Sequence, residues 1–183
     1  MTSFEGVQYR LANCWFEHVP PAEYSNKPIR YLEIGTFYGA NLLSVAKSYG
    51  LHPDSKLHCI DPWEDEQPKI YDTFMKNLNV LRDDKSKITV HRGYSHRVVH
   101  GFDDEMFDII YIDGNHEPEY VLEDGVLCFR KLKIGGILIF DDYGWGGPDL
   151  TQRGIDAFTS GYHKRIRKLG LAGDLQMIVE KIR

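Results

Sequence analysis

The chain has 183 residues, 42% of them hydrophobic and 27% charged, the composition of one folded domain with a core rather than of a disordered or fibrous chain. Acidic residues outnumber basic ones by 27 to 22, a formal charge of −5, which excludes a protein whose main affinity comes from neutralising the phosphates of duplex nucleic acid. The 3 cysteines, Cys14, Cys59 and Cys128, are far apart and form no CxxC pair, so they suit reduced thiols in a cytoplasmic setting better than a disulfide framework or a zinc ribbon.

In chain order, Met1 to Arg10 contains Glu5, Gln8 and Arg10 and no apolar stretch of the kind a secretory signal has. Residues 1–28 are expected to form a helical extension or lid ahead of a domain at 29–183. The apolar runs Ile29–Ile34, Lys56–Ile60, Ile88–His91, Phe107–Ile112 and Ile137–Phe140 predict strands buried on both faces, as in a parallel sheet. Helical segments alternate with them. Ala40–Tyr49 follows the first run. Lys69–Arg82 carries Ile70, Phe74, Leu78 and Leu81 on one face, and Pro118–Lys131 opens with a proline suited to a first helical turn. Gly154–His163 reads as a helix, and Arg165–Leu169 and Leu175–Lys181, joined by Gly170–Asp174, read as an antiparallel hairpin. The fold predicted is α/β, a doubly wound three-layer sandwich around a seven-stranded, mostly parallel sheet with a C-terminal antiparallel hairpin. No run is long enough for a membrane span, so no membrane partner is expected.

The first strand ends in Glu33-Ile34-Gly35-Thr36-Phe37-Tyr38-Gly39-Ala40-Asn41. Glycines here allow a sharp turn and close backbone approach to a ligand at the crevice of an open α/β sheet. A dinucleotide fingerprint would need glycines at 37 and 40, where Phe37 and Ala40 stand, and no Gly-Lys-Ser/Thr follows Gly39 to make a phosphate loop. Asp61, followed by Pro62 and Trp63, closes the second strand, where a carboxylate serves either a ribose diol or a turn cap. Gly93-Tyr94-Ser95 closes the third, with Ser95 either bordering a base or capping a helix.

Glu33-x-Gly35-x-x-x-Gly39, Asp61 and Gly93-x-Ser95 together resemble the cofactor site of Rossmann-like S-adenosylmethionine-dependent methyltransferases, over about Ile29 to Arg183. The resemblance implies that Glu33 and Gly35 line the methionine part, Asp61 the ribose and Tyr94-Ser95 the adenine region, with Thr36, Phe37, Tyr38, Gly39, Pro62, Trp63, Gly93 and Asp113 also at the cofactor.

Asp113 closes the fourth strand and Asp141-Asp142 the fifth. Three converging carboxylates repel one another unless one is protonated or a hard cation such as Mg²⁺ takes their oxygens. The pattern Asp113-Gly114-Asn115-His116 with the later acid pair resembles the metal-dependent O-methyltransferases, closest to the macrocin and mycinamicin type. That resemblance implies Asp113, Asp141 and Asp142 as metal ligands and His116 as general base, acting on a hydroxyl of a small molecule or sugar. The chain departs from the group at Pro118, where a tyrosine is usual; Tyr120 comes two positions later.

Other readings stay open. Gly114-Asn115-His116-Glu117 also matches a metallophosphoesterase element, but the D-x-H and GDxxD strings of that family do not occur. A metal-independent methyltransferase acting on nitrogen or a macromolecule uses the same cofactor residues. A non-catalytic binding module keeps only the fold. Three segments are candidate covers for the substrate: 1–28, 62–68 and 143–153, the last containing Trp145. Substrate selectivity then comes from these loops or from a second subunit of a homo-oligomer. Phe37, Tyr38, Trp63, Tyr94, Tyr143 and Trp145 all fall at predicted strand ends. The other histidines, and the basic run 162–168 on an edge strand, read as structural or solvated.

Overall fold

The computed structural model describes residues 3–8, 11–64, 69–173 and 175–183. Parts of three expected features, the N-terminal extension at 1, 2, 9 and 10, the loop at 65–68 and the hairpin turn at Asp174, lie outside the described residues. Strands β1 (Arg30–Ile34), β2 (Lys56–Asp61), β3 (Ile88–Arg92), β4 (Phe107–Ile112), β5 (Leu132–Phe140), β6 (Ile166–Ala172) and β7 (Gln176–Lys181) form one sheet in the order β3-β2-β1-β4-β5-β7-β6. The first five are parallel; β7 runs antiparallel between β5 and β6.

Helices α1 (Ala40–Ala46), α2 (Lys69–Asn77), α3 (Ser95–Val98), α4 (Pro118–Lys131) and α5 (Thr151–Gly161) connect the strands. Strand alternation divides the apolar residues between two faces. Tyr31, Ile109, Tyr111, Ile137, Ile139 and Ile178 join Trp15, Leu42, Tyr49 and Phe74 on one side. Leu32, Ile34, Ile110, Ile112, Leu138 and Phe140 join Phe129, Ile155 and Phe158 on the other. The N-terminal segment belongs to the first core: Ala12 and Trp15, in a 3₁₀ turn, and Val19 are buried.

Strand order reverses direction between β1 and β4, which places a crevice at their C-terminal ends. Ile34 pairs with Ile60 and Ile112, and Ile112 with Phe140, so four strands end level. The next residue on each carries the ladder one rung further or turns away from it. Gly35 N–H donates to Ile60 O at 2.9 Å, Asp113 N–H to Ile34 O at 2.8 Å and Asp141 N–H to Ile112 O at 2.9 Å. Register alone therefore lines up Gly35, Asp61, Asp113 and Asp141 along one edge.

Several boundaries differ from the sequence pattern; the helix predicted over 154–163, for one, runs from Thr151 to Gly161. The predicted helix 69–82 is α-helical only to Asn77 and continues as a 3₁₀ segment to Lys87. There Asn77 turns inward to the backbone of Glu5 and Tyr38. The first helix stops at Ala46 rather than Tyr49. β5 starts at Leu132, because Lys133–Gly136, with Ile134 and Gly135 exposed, extends the strand without the apolar pattern that marked Ile137–Phe140. β6 runs through Gly170, with a register irregularity between Lys168 and Gly170, so the hairpin turn is shorter than predicted.

Candidate active site

The turn after β1 is held by backbone geometry. Gly35 has φ +80°, and a Cβ built on it would lie 1.7 Å from the Asp113 carbonyl oxygen. The β1 turn and the β4 loop touch backbone to backbone there. Asp61 fastens the β1 and β2 loops: its Oδ2 accepts from Phe37 N–H at 2.8 Å and its Oδ1 from Trp63 N–H at 2.7 Å. Trp63 Nε1 donates to Phe37 O at 2.9 Å. Trp63 itself is buried, stacked on Phe74 with ring centroids 4.8 Å apart, so it braces the site from within. Phe37, Tyr94 and Trp145 are exposed and Tyr38 and Tyr143 partly so, which leaves five aromatic rings available at this edge. Four described non-glycine residues have positive φ, and three of them, Phe37, Trp63 and Asp142, stand at these strand ends.

Glu33 is buried in the sheet below the turn. Its Oε2 accepts from Tyr31 Oη at 2.6 Å and Asn41 Nδ2 at 2.9 Å. Burial pushes its carboxyl from an ordinary 4.5 to about 8, against the lowering effect of those hydrogen bonds. Asn41 Oδ1 is buried with no donor among the described residues.

At the third strand end, Tyr94 Oη donates to Glu64 Oε2 at 2.7 Å. Ser95 opens α3, and no side chain caps that helix. Its hydroxyl bonds instead to Asp124 of α4, a buried carboxylate pushed up to about 6 by desolvation. The partnership of Asp124 with Ser95 comes from α4 packing beside α3 and the β4 end.

The acids sort into two roles. Asp113, His116 and Asp142 each present a ligand atom, all within 4.8 Å of one another. His116 Nε2 lies 3.1 Å from Asp142 Oδ2 and 3.7 Å from Asp113 Oδ1, and the Trp145 ring covers the imidazole at 4.6 Å between centroids. Asp141 is turned inward instead. Its Oδ2 accepts from Tyr111 Oη at 2.5 Å and its Oδ1 from Asp142 N–H at 2.8 Å. Consecutive residues at a strand end face opposite ways, which is why the pair splits. Asn41, Tyr111 and Asn77 escaped the sequence reading. Tyr111 reads there as plain core, although its spacing of two from Asp113 already set it on the same face of β4.

A family described as a methyltransferase domain matches residues 32–143. The chain belongs to this family. A curated relative, an uncharacterized protein of Acanthamoeba polyphaga mimivirus, is 26% identical over 126 residues, 63% of this chain; the chain spans about half (52%) of that relative's length. Among solved structures, cofactor-bound Rv0187 from MTB superposes with a TM-score of 0.75 at 16% identity, covering 100% of this chain and 85% of its own. The O-methyltransferase TomG from Streptomyces achromogenes, involved in tomaymycin synthesis and solved with SAM, gives 0.70 at 17%, covering 93% and 80%. MycE methyltransferase of the mycinamycin pathway, solved with Mg and SAH, gives 0.60 at 19%, covering 92% and 49%. At these identities the likenesses establish the seven-stranded methyltransferase fold.

Proposed function

From that membership we propose that the chain transfers a methyl group from S-adenosylmethionine to a hydroxyl of a small molecule or sugar, with Mg²⁺ at the Asp113/Asp142 pair. The observation that carries this reading is the grouping of Asp113, His116 and Asp142 within 4.8 Å, beside the Gly35 turn. Metal–oxygen bonds of about 2.1 Å put neighbouring ligands of an octahedral cation about 3 Å apart. Separations of 3.1 and 3.7 Å between His116 and the two carboxylates are therefore compatible with a shared cation site or with a base standing next to one. The oxygen donors suit a hard ion. Asp113 and Asp142 are assigned as ligands, with Asp141 behind them.

The cofactor fit rests on three groups. Asn41 offers a buried acceptor oxygen that suits an ammonium group. Asp61, whose carboxylate takes the Phe37 and Trp63 amides, stands at the β2 end where a ribose diol would be received. Tyr94 and Phe37 offer exposed ring faces beside the turn. S-adenosylmethionine would supply an activated methyl group on a sulfonium, and a divalent cation held by Asp113 and Asp142 would supply Lewis-acid stabilisation of negative charge on the acceptor oxygen.

The chain's own groups do the rest. His116 takes the hydroxyl proton, and Asp142 Oδ2, 3.1 Å from Nε2, orients the ring and stabilises the imidazolium that results. Trp145 packs against that ring from one side. The loops fix the acceptor in line with the methyl group, and positioning of this kind contributes up to roughly 7–11 kcal/mol in well-oriented systems.

One observation favours a second reading. The His116–Asp142 pair is by itself a base with an orienting carboxylate, sufficient for metal-free transfer. Calorimetry of S-adenosylhomocysteine binding, followed by turnover of hydroxylated acceptors with and without Mg²⁺, separates the two. Asp142→Asn is expected to abolish Mg²⁺ stimulation and lower turnover at least about 100-fold. Turnover indifferent to Mg²⁺ and to chelator overturns the metal assignment, and no binding of the homocysteine product overturns the enzyme assignment.

A further inference from the structure

A line of hydrogen bonds runs through the apolar core and ends on the acid pair. Trp15 Nε1 donates to Gln176 Oε1 at 3.0 Å, and Gln176 Nε2 donates to Tyr111 Oη at 3.3 Å. Tyr111 Oη donates to Asp141 Oδ2 at 2.5 Å, and Asp141 Oδ1 accepts from the Asp142 amide at 2.8 Å. Trp15 and Tyr111 are at most 1% exposed and Gln176 is 1% exposed.

The direction of every bond is fixed by its first member. An indole is a donor only, so it can pair only with the carbonyl oxygen of Gln176. That orients the amide with its NH₂ toward Tyr111, whose oxygen must accept. The Tyr111 proton is then left for Asp141, and a carboxylate held from one side by a hydroxyl presents its other oxygen to the Asp142 amide. Asp142 is left-handed, with φ +57°, an uncommon conformation for a residue with a side chain. Its carbonyl oxygen is also held, by Thr151 Oγ1 and by Trp145 N–H. Buried polar groups cost desolvation unless each is satisfied, and apolar residues of the same shape would pack here at no such cost. In this chain the polar line leads to the one residue whose backbone geometry aims a carboxylate at Asp113 and His116.

We propose that Trp15, Gln176 and Tyr111 are positioning residues that act through Asp141 to set the orientation of Asp142, so that Asp141 orients the site rather than ligating at it. Both ends of the chain take part, since Trp15 and Gln176 lie outside the matched stretch 32–143 and reach the site only through the fold. The role rests on the reading of Asp142 as a working site residue.

The test uses the full chain with Tyr111→Phe, which keeps the ring and removes the hydroxyl, and Gln176→Leu, which leaves Tyr111 in place. Mn²⁺ affinity is measured by calorimetry, and exchange of the Asp142 amide by NMR, with the melting temperature as control. Removing partners that orient a metal ligand lowers affinity about 10–100-fold. That loss is expected in both variants, together with at least about tenfold faster Asp142 amide exchange and unchanged affinity for S-adenosylhomocysteine. Wild-type Mn²⁺ affinity and wild-type Asp142 protection in Tyr111→Phe overturn the proposal. Should the wild-type chain bind no Mn²⁺, the metal reading falls and the Asp142 amide decides the positioning role alone. Where Tyr111→Phe fails to fold, Gln176→Leu carries both readouts, with the same outcomes decisive.

Discussion

Two residues at the end of β1 carry opposite kinds of constraint, one steric and one electrostatic. Gly35 has no space for a side chain, because a Cβ would meet the Asp113 carbonyl oxygen at 1.7 Å. Backbone on both sides prevents relief by a rotamer change. Gly35→Ala is expected to cost on the order of 3 kcal/mol or more and to weaken S-adenosylhomocysteine binding, read by thermal melting and calorimetry. A variant with wild-type melting and affinity would show that the two turns can part freely. Glu33 is set by burial. Unfolded, it ionises near 4.5; folded, near 8, so the folded state holds its proton more tightly between those values. Stability from this group is complete below about pH 4.5 and is lost as pH rises toward 8. His58 runs the other way. It lies 3.0 Å from His91 between β2 and β3, and burial lowers it from 6.5 to about 4. Its contribution is present above 6.5 and lost on acidification toward 4. The two effects oppose each other at intermediate pH, so the window above pH 6.5 isolates Glu33. Melting temperature should fall between pH 6.5 and 8.5 more in the wild type than in Glu33→Gln, and parallel profiles would contradict the assignment. Gly35 was legible in the sequence because a glycine directly after an apolar strand run marks a sharp turn at a sheet edge. Asn41, which holds the Glu33 oxygen together with Tyr31, was not, because its pairing depends on β1 and α1 meeting in space.

At the scale of elements, strands were legible wherever apolar residues ran unbroken, and the acids after β4 and β5 were legible because each ends such a run. What the pattern missed was polar packing. Asn77 shows the reason. It ends α2, and its side chain is buried like a core residue: Nδ2 donates to Glu5 O at 2.8 Å and Tyr38 O at 2.9 Å, and Oδ1 accepts from Glu5 N–H at 2.8 Å. The amide fastens segment 3–8 across the turn that starts α1, and Gly6 lies against the Tyr38 ring, where a Cβ would come within 2.6 Å. An asparagine followed by polar residues reads locally as the end of a helix, and only the partner segment, 72 residues away, shows its other role. Asn77→Ala strands backbone groups that are worth about 1–3 kcal/mol each when buried and unpaired. Segment 3–8 should then lose hydrogen-exchange protection and gain protease sensitivity, with the melting temperature several degrees lower. Protection equal to the wild type would mean that the segment is held by other contacts.

The whole molecule joins a parallel sheet whose C-terminal edge gathers negative charge to a core that both ends of the chain complete. Glu33, Asp61, Asp113, Asp141 and Asp142 lie within one row of strand ends. Burial, backbone donors and His116 accommodate part of that charge, and on the proposed function a sulfonium and a divalent cation would accommodate the remainder. The residues before β1 are not simply a cover on this edge. Trp15 is fully buried against Tyr49 and Tyr111, with ring centroids 5.8 and 5.3 Å away, and Ala12 and Val19 enter the same core. Tyr49 Oη also donates to Val19 O at 2.6 Å. Burying a residue of this size is worth roughly 3–5 kcal/mol when it is truncated to alanine, a large share of the 5–15 kcal/mol that holds a domain together. A segment acting only as a lid would leave melting unchanged on removal and alter only access to the site. Deleting residues 1–18 is therefore expected to lower the melting temperature by ten degrees or more, or to abolish cooperative unfolding, followed by circular dichroism. Trp15→Phe, which keeps an aromatic ring but removes the donor to Gln176, should melt much closer to the wild type and still show the faster Asp142 exchange. A deletion variant that melts like the wild type would return the segment to the role of a cover.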